Sequence, residues 1–167
     1  HAISAQAHLQ KTGARALITA CEKVLRDYKF EFPSTTIEEF VVTAEVVVNP
    51  KEELEKILAD PEYNDRLVCI EKIRRYEREF AEKYEMQICF DDEATEQICQ
   101  MSKAQSPEHI CGQILESYEH GLSLIKQNTG TTNFVLNREV VEDPDTVLEQ
   151  WIRESYLAKS RESEQNS

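Results

Sequence analysis

The chain lacks a long apolar run: none of its hydrophobic stretches approaches the ~20 residues that span a bilayer, and no secretion signal is visible at its start. It is also short of positive charge. Nineteen Lys and Arg stand against 32 Asp and Glu, a formal net charge of −13. Such a chain repels phosphate backbones, which excludes a general nucleic-acid-binding role. No two cysteines are spaced as CxxC, and the five present (Cys21, Cys69, Cys89, Cys99 and Cys111) are odd in number and sit in apolar-patterned segments. The four histidines, His1, His8, His109 and His120, do not cluster with them. The expectation is reduced core cysteines in a cytoplasmic protein, with no metal ligands. No GxxxxGK[ST] phosphate loop is present, no apolar strand ending in an Asp-Glu pair follows one, and no Ser/His/Asp or Cys/His hydrolase pattern is recognisable. The chain alone is therefore not expected to hydrolyse a nucleotide, and no catalytic residue is assigned.

What is present is a series of amphipathic segments. A helical pattern begins at about Gly13, and from Ala16 the sequence ALITACEKVLRDYKF places Leu17, Ile18, Cys21, Val24, Leu25 and Tyr28 on one helical stripe. Thr12 is the expected N-cap, and Pro33-Ser34 ends the element. EEFVVTAEVVVNP is β-branched and apolar, which predicts one or two short strands. A short helix opened by Pro50 and a longer one over about 64–84 follow. MQICF (86–90) is a strand candidate, and Asp91-Asp92 begins the next helix. SPEHICGQILESYEHGLSLIKQ predicts another helix, TNFVLNREVVEDP another strand region, and DTVLEQWIRESYLAKS a last amphipathic helix carrying Trp151.

The order repeats. With an offset of 94 positions, Glu22 meets Glu116, Phe40 meets Phe134, Glu45-Val46-Val47 meets Glu139-Val140-Val141, Pro50 meets Pro144, and Leu54-Glu55 meets Leu148-Glu149. Two copies of one small domain account for this better than a solenoid. The second copy has residues 59–106 ahead of its key helix where the first has only 1–12, so the first copy reads as cut through its middle. Met86–Phe90 is expected to pair with Phe134–Val141. Phe40–Val48 is then an open edge that seeks a partner in copy two or in a second chain.

Arg15 stands in the first turn of the opening helix, where the positive end of the helix dipole makes a cation unfavourable. The bland explanation is an exposed arginine paired with a neighbouring carboxylate. The second copy replaces Gly13-Ala14-Arg15 with Pro107-Glu108-His109, after the capping residue Ser106. A cap, a proline and an acid make a helix start built for stability alone.

The segment Thr12-Gly13-Ala14-Arg15, the turn Pro33-Ser34 and the valine-rich run Phe40 to Val48 resemble the C-terminal small domain of ClpX-like AAA+ protein-unfolding ATPases. EELEKILADP and YEREFAEKYEMQICFDDEATEQI resemble the same domain's earlier part, so the likeness covers about residues 3–144. It implies an α+β fold of mainly helical small domains with short two- or three-stranded sheets. It divides the chain into the C-terminal half of a first small domain (1–50), a second degenerate copy (51–144), and a C-terminal helix with a polar tail (145–167). It also implies that Arg15 is a sensor-2 arginine facing the terminal phosphate of ATP held by a large domain outside this chain, with Gly13 and Ala14 allowing close backbone approach. On this resemblance the parent protein is an ATPase that forms a subunit ring, acts on protein substrates and works with a protease partner. The alternative is a non-catalytic adaptor that kept the fold.

Overall fold

A computed structural model describes the backbone of residues 13–116 and 118–165 and the side chains of 18–116 and 118–161. The expected Thr12 cap, and the side chains of Gly13, Ala14 and Arg15, lie outside what is described. The chain divides into two compact units, His1–Val68 and Cys69–Ser167.

In the first unit, α1 (Gly13–Glu31) runs into a 3-10 turn (Phe32–Ser34), and α2 (Ala44–Val48) leads to α3 (Pro50–Ala59) and the start of α4 (Pro61–Tyr84). Apolar spacing along α1 buries Val24 and Tyr28 against Val46, Leu54 and Ile57. Three rings lock this core: Tyr28, Phe32 and Phe40 have centroids 4.9–5.4 Å apart. Glu53 is buried and accepts a bond from the Tyr63 hydroxyl at 2.6 Å, so its carboxylate has a partner inside.

The strand expectation over Glu38–Val48 is corrected. Residues 37–43 form neither strand nor helix, with a turn in which the Thr43 N–H donates to the Val41 carbonyl at 3.1 Å, and 44–48 form a helix. Thr43 causes the switch: its hydroxyl caps the Val46 N–H at 3.3 Å, which starts α2 in a β-branched run.

The second unit continues along α4, then β1 (Gln87–Phe90), α5 (Asp92–Met101), α6 (Pro107–Leu115), α7 (Tyr118–Thr129), β2 (Asn133–Leu136), α8 (Arg138–Glu142) and α9 (Pro144–Gln165). The two strands are parallel, with Ile88 opposite Phe134 and Phe90 opposite Leu136. Parallel pairing needs a crossover, which α5, α6 and α7 supply. Each strand alternates exposed and buried residues, so one face packs on the helices. Thus MQICF is a strand as expected, but only Phe134–Leu136 of its expected partner is. Val140 and Val141 are buried from α8 instead, started by the Asn137 side chain on the Val140 N–H.

Glu77 on α4 anchors β1. Its Oε1 accepts the Phe90 N–H at 2.7 Å, while Arg74 donates to both of its oxygens at 3.0 Å. The expectation of reduced cysteines is also corrected: Cys69 on α4 and Cys99 on α5 form a disulfide. Their partnership joins positions 30 residues apart, a separation that no sequence motif announces. Cys21, Cys89 and Cys111 are free thiols.

Under the 94-residue offset several helix starts coincide, although α1 is one helix where the second unit has α6 and α7, and β2 maps to residues 39–42, which form no strand. α1 and α6 begin at Gly13 and Pro107, α2 and α8 span equivalent positions, and α3 and α9 begin at Pro50 and Pro144. The linkers between them share a backbone: Asn49 has φ −130° and ψ 63°, and Asp143 has φ −142° and ψ 74°. The fold is mainly helical α+β with a short two-stranded sheet.

Candidate functional site

The residues Gly13-Ala14-Arg15 form the first turn of α1, which carries no acid there. Every other α-helix among the described residues has at least one Asp or Glu in its first turn. The chain has an acid to spare for each helix start and places a cation at this one. A cation here adds to the positive end of the helix dipole. Chemically, the turn attracts anions.

The equivalent turn in the second unit is built differently. The Ser106 hydroxyl accepts the His109 N–H at 3.3 Å, Pro107 is buried at the first helical position, and Glu108 pairs with Arg75 of α4. All three stabilise a helix start, as the sequence suggests, and Glu108 puts a negative charge where the first copy has a neutral alanine. His109 is exposed at the rim of an open groove of about 400 Å³, whose walls include Tyr76, Phe80, Tyr84 and Gly112. The Tyr84 hydroxyl donates to Glu119 at 2.7 Å, so one carboxylate beside the groove is already engaged.

The two units also differ on the face that packs against the helix opened by Pro50 or Pro144. In the second unit Gly121 sits against Leu148, and a Cβ there would lie 2.6 Å from Leu148 Cδ1. The glycine therefore lets α7 and α9 close on each other. The first unit has Asp27 at the equivalent position, and a groove of about 910 Å³ remains between α1 and α3, lined by Arg26, Phe30, Leu54 and Leu58 among others.

No nucleophile emerges from the buried groups. Burial pushes the Cys111 thiol up to about 12, with Glu77 and Glu108 adding to the shift, so it stays protonated and inert. Among the described residues, no three His, Cys, Asp or Glu side chains gather as a metal site. Glu22 and Glu116, equivalent by the offset, are both exposed. Sequence reasoning missed the carboxylate Glu77 and the amide Asn64, both buried and both structural. Their signal is faint, since each is a polar residue on the inward stripe of α4. Comparison with family models, with curated proteins and with solved structures finds no match to this chain.

Proposed function

We propose that this chain is a C-terminal portion of a ClpX-like AAA+ protein-unfolding ATPase. It carries two descendants of one small domain. The first senses the nucleotide and the second is structural or docks a partner. The observation that supports this most is the first turn of α1, the one described α-helix start without an acid, with Arg15 in its place. A guanidinium at a helix start can form charge-assisted bonds to a terminal phosphate and so report its loss. The small residues Gly13 and Ala14 suit a close approach of backbone to an anion. ATP is held by a large domain, and the subunit ring, protease partner and protein substrates belong to the assembled parent.

The second unit favours the adaptor reading for its own half. Its helix start has been rebuilt for stability, and α9 leaves Tyr156 and Leu157 about half exposed. Those two residues are an apolar surface without a described cover.

Amide shifts of the labelled chain during ATP titration test the proposal. Weak, millimolar-range binding is expected, with shifts confined to about residues 13–17, smaller for ADP, absent in Arg15→Ala and unchanged in His109→Ala. No ATP turnover above background is expected. Steady hydrolysis, or equal shifts in Arg15→Ala, would overturn the assignment.

A further inference from the structure

Each unit has an open groove, and the two differ in charge. The walls of the second unit's groove include Glu108, Glu116 and Glu119 and no lysine or arginine. The groove of the first unit, about 910 Å³ between α1 and α3, carries both signs. Arg26, Lys29 and Lys51 stand on its walls with Asp27, Glu31 and Glu55. None of these six side chains makes an ion pair or a hydrogen bond among the described residues.

The same groove exposes apolar surface. Phe30, at the end of α1, is 81% exposed, the highest value among the described large apolar side chains, and Leu58 is 37% exposed. Under the 94-residue offset they match Leu124 and Ile152. Neither of those counterparts is exposed, and Ile152 packs against the second unit's core. There Gly121 lets α7 and α9 close on each other, whereas the first unit has Asp27 at that position and its groove stays open. The first unit therefore keeps the apolar residues without their cover among the described residues. Apolar side chains grouped in a groove with a polar rim mark an interaction surface, unlike single ones scattered over a protein.

We propose that this face is where two copies of the chain associate, α1 of each copy lying against the groove of the other, with Phe30 as the anchor. In a two-fold contact a patch meets itself, so it must complement itself. The apolar centre does so by burial. The rim does so by setting each cation of one copy against an acid of the other, which a purely acidic groove cannot do. None of the six charges has an internal ion pair to give up on forming the contact. At −13 per copy the net charge opposes association, so the one groove of the two that carries cations is the favoured place for it. An aromatic side chain at the centre of such a patch carries a large share of the binding energy. The inference rests on the first unit alone and does not depend on whether Arg15 meets a phosphate.

Sedimentation of the full chain between about 1 µM and about 1 mM tests the proposal. A monomer–dimer equilibrium is expected, with concentration-dependent amide shifts of the labelled chain confined to α1 and α3. Phe30→Ser removes an exposed ring without changing the charge, and is expected to weaken association at least tenfold while leaving the urea midpoint in place. Arg26→Glu is expected to weaken it more than Lys103→Glu, an exposed residue of the second unit whose reversal changes the net charge equally. A chain that stays monomeric throughout would overturn the proposal and leave the groove to a different partner. So would a dimer that persists in Phe30→Ser or whose shifts lie outside α1 and α3. Equal weakening by the two charge reversals would assign the effect to bulk repulsion and contradict the paired contact.

Discussion

Tyr28 and Tyr118 perform the same task from different places. Each is buried, and each donates its hydroxyl at 2.8 Å to the carbonyl of the proline that opens the following helix, Pro50 or Pro144. The prolines are equivalent by the 94-residue offset, but the tyrosines are one helical turn apart, Tyr118 aligning with Val24. The same bond is made from positions one turn apart, which marks the proline carbonyl as a point that needs satisfying. Burial, and then the Glu53 carboxylate, push the Tyr28 phenol up to about 12, and burial pushes Tyr118 in the same direction. The sign follows from linkage. A phenol whose folded-state pKa lies above the usual ~10 contributes fully below that pH, and the contribution is lost as pH rises toward 12. Unfolding free energy is therefore expected to fall between about pH 10 and pH 12, and Tyr28→Phe to flatten that fall. At neutral pH the same variant should cost about 1 kcal/mol, the net value of one hydrogen bond, as read by urea unfolding.

At the scale of elements, the disulfide between Cys69 and Cys99 joins α4 to α5 across 30 residues. A loop of that length restrains the unfolded chain by about 3–4 kcal/mol in the chain-entropy account. Cys99→Ser is expected to lower the urea midpoint accordingly, and thiol labelling of the native oxidised protein to modify Cys89 readily and Cys111 last. Gly121→Ala forces a Cβ against Leu148, which is itself buried. Overpacking outweighs the gain in helix propensity, so a net loss of about 1–2 kcal/mol is expected in the same assay. The helices were legible because their apolar residues recur at three and four and because Asp91, Ser106 and the prolines mark their starts. The parallel strands at Ile88 and Phe134 were legible from alternation. Ala44–Val48 was not: three adjacent valines look like strand, and a threonine cap overrides that propensity. The Cys69–Cys99 pair was not legible either, because proximity of two helices on either side of β1 leaves no mark in spacing. The helix break at Glu116 was hidden by an apolar period that continues through it. The turn holding Arg15 was visible in the sequence only as a local violation of the dipole rule.

The whole molecule is strongly acidic, repeats itself at 94 positions, and among its described residues contains no helix long and apolar enough to cross a membrane. A charge of −13 predicts no salt-dependent binding to duplex DNA, checked by a mobility-shift titration at low salt. Internal repetition gives the molecule its own control: every feature of one unit can be compared with its counterpart in the other. Two features differ in ways that bear on function. Residues 39–42 of the first unit form no strand where the second has β2, and the first unit opens α1 with a cation where the second opens α6 with a cap, a proline and an acid. The central claim is that Arg15 is retained at a cost to its helix because it meets a phosphate. The direct measurement is the unfolding free energy of Arg15→Glu, taken with its amide response to ATP. An acid in the first turn complements the dipole, so the variant is expected to be more stable by about 0.3–1 kcal/mol and to lose the nucleotide response. A variant that is less stable than the parent chain, with its response to ATP intact, would show Arg15 to be a structural ion-pair partner and contradict the account.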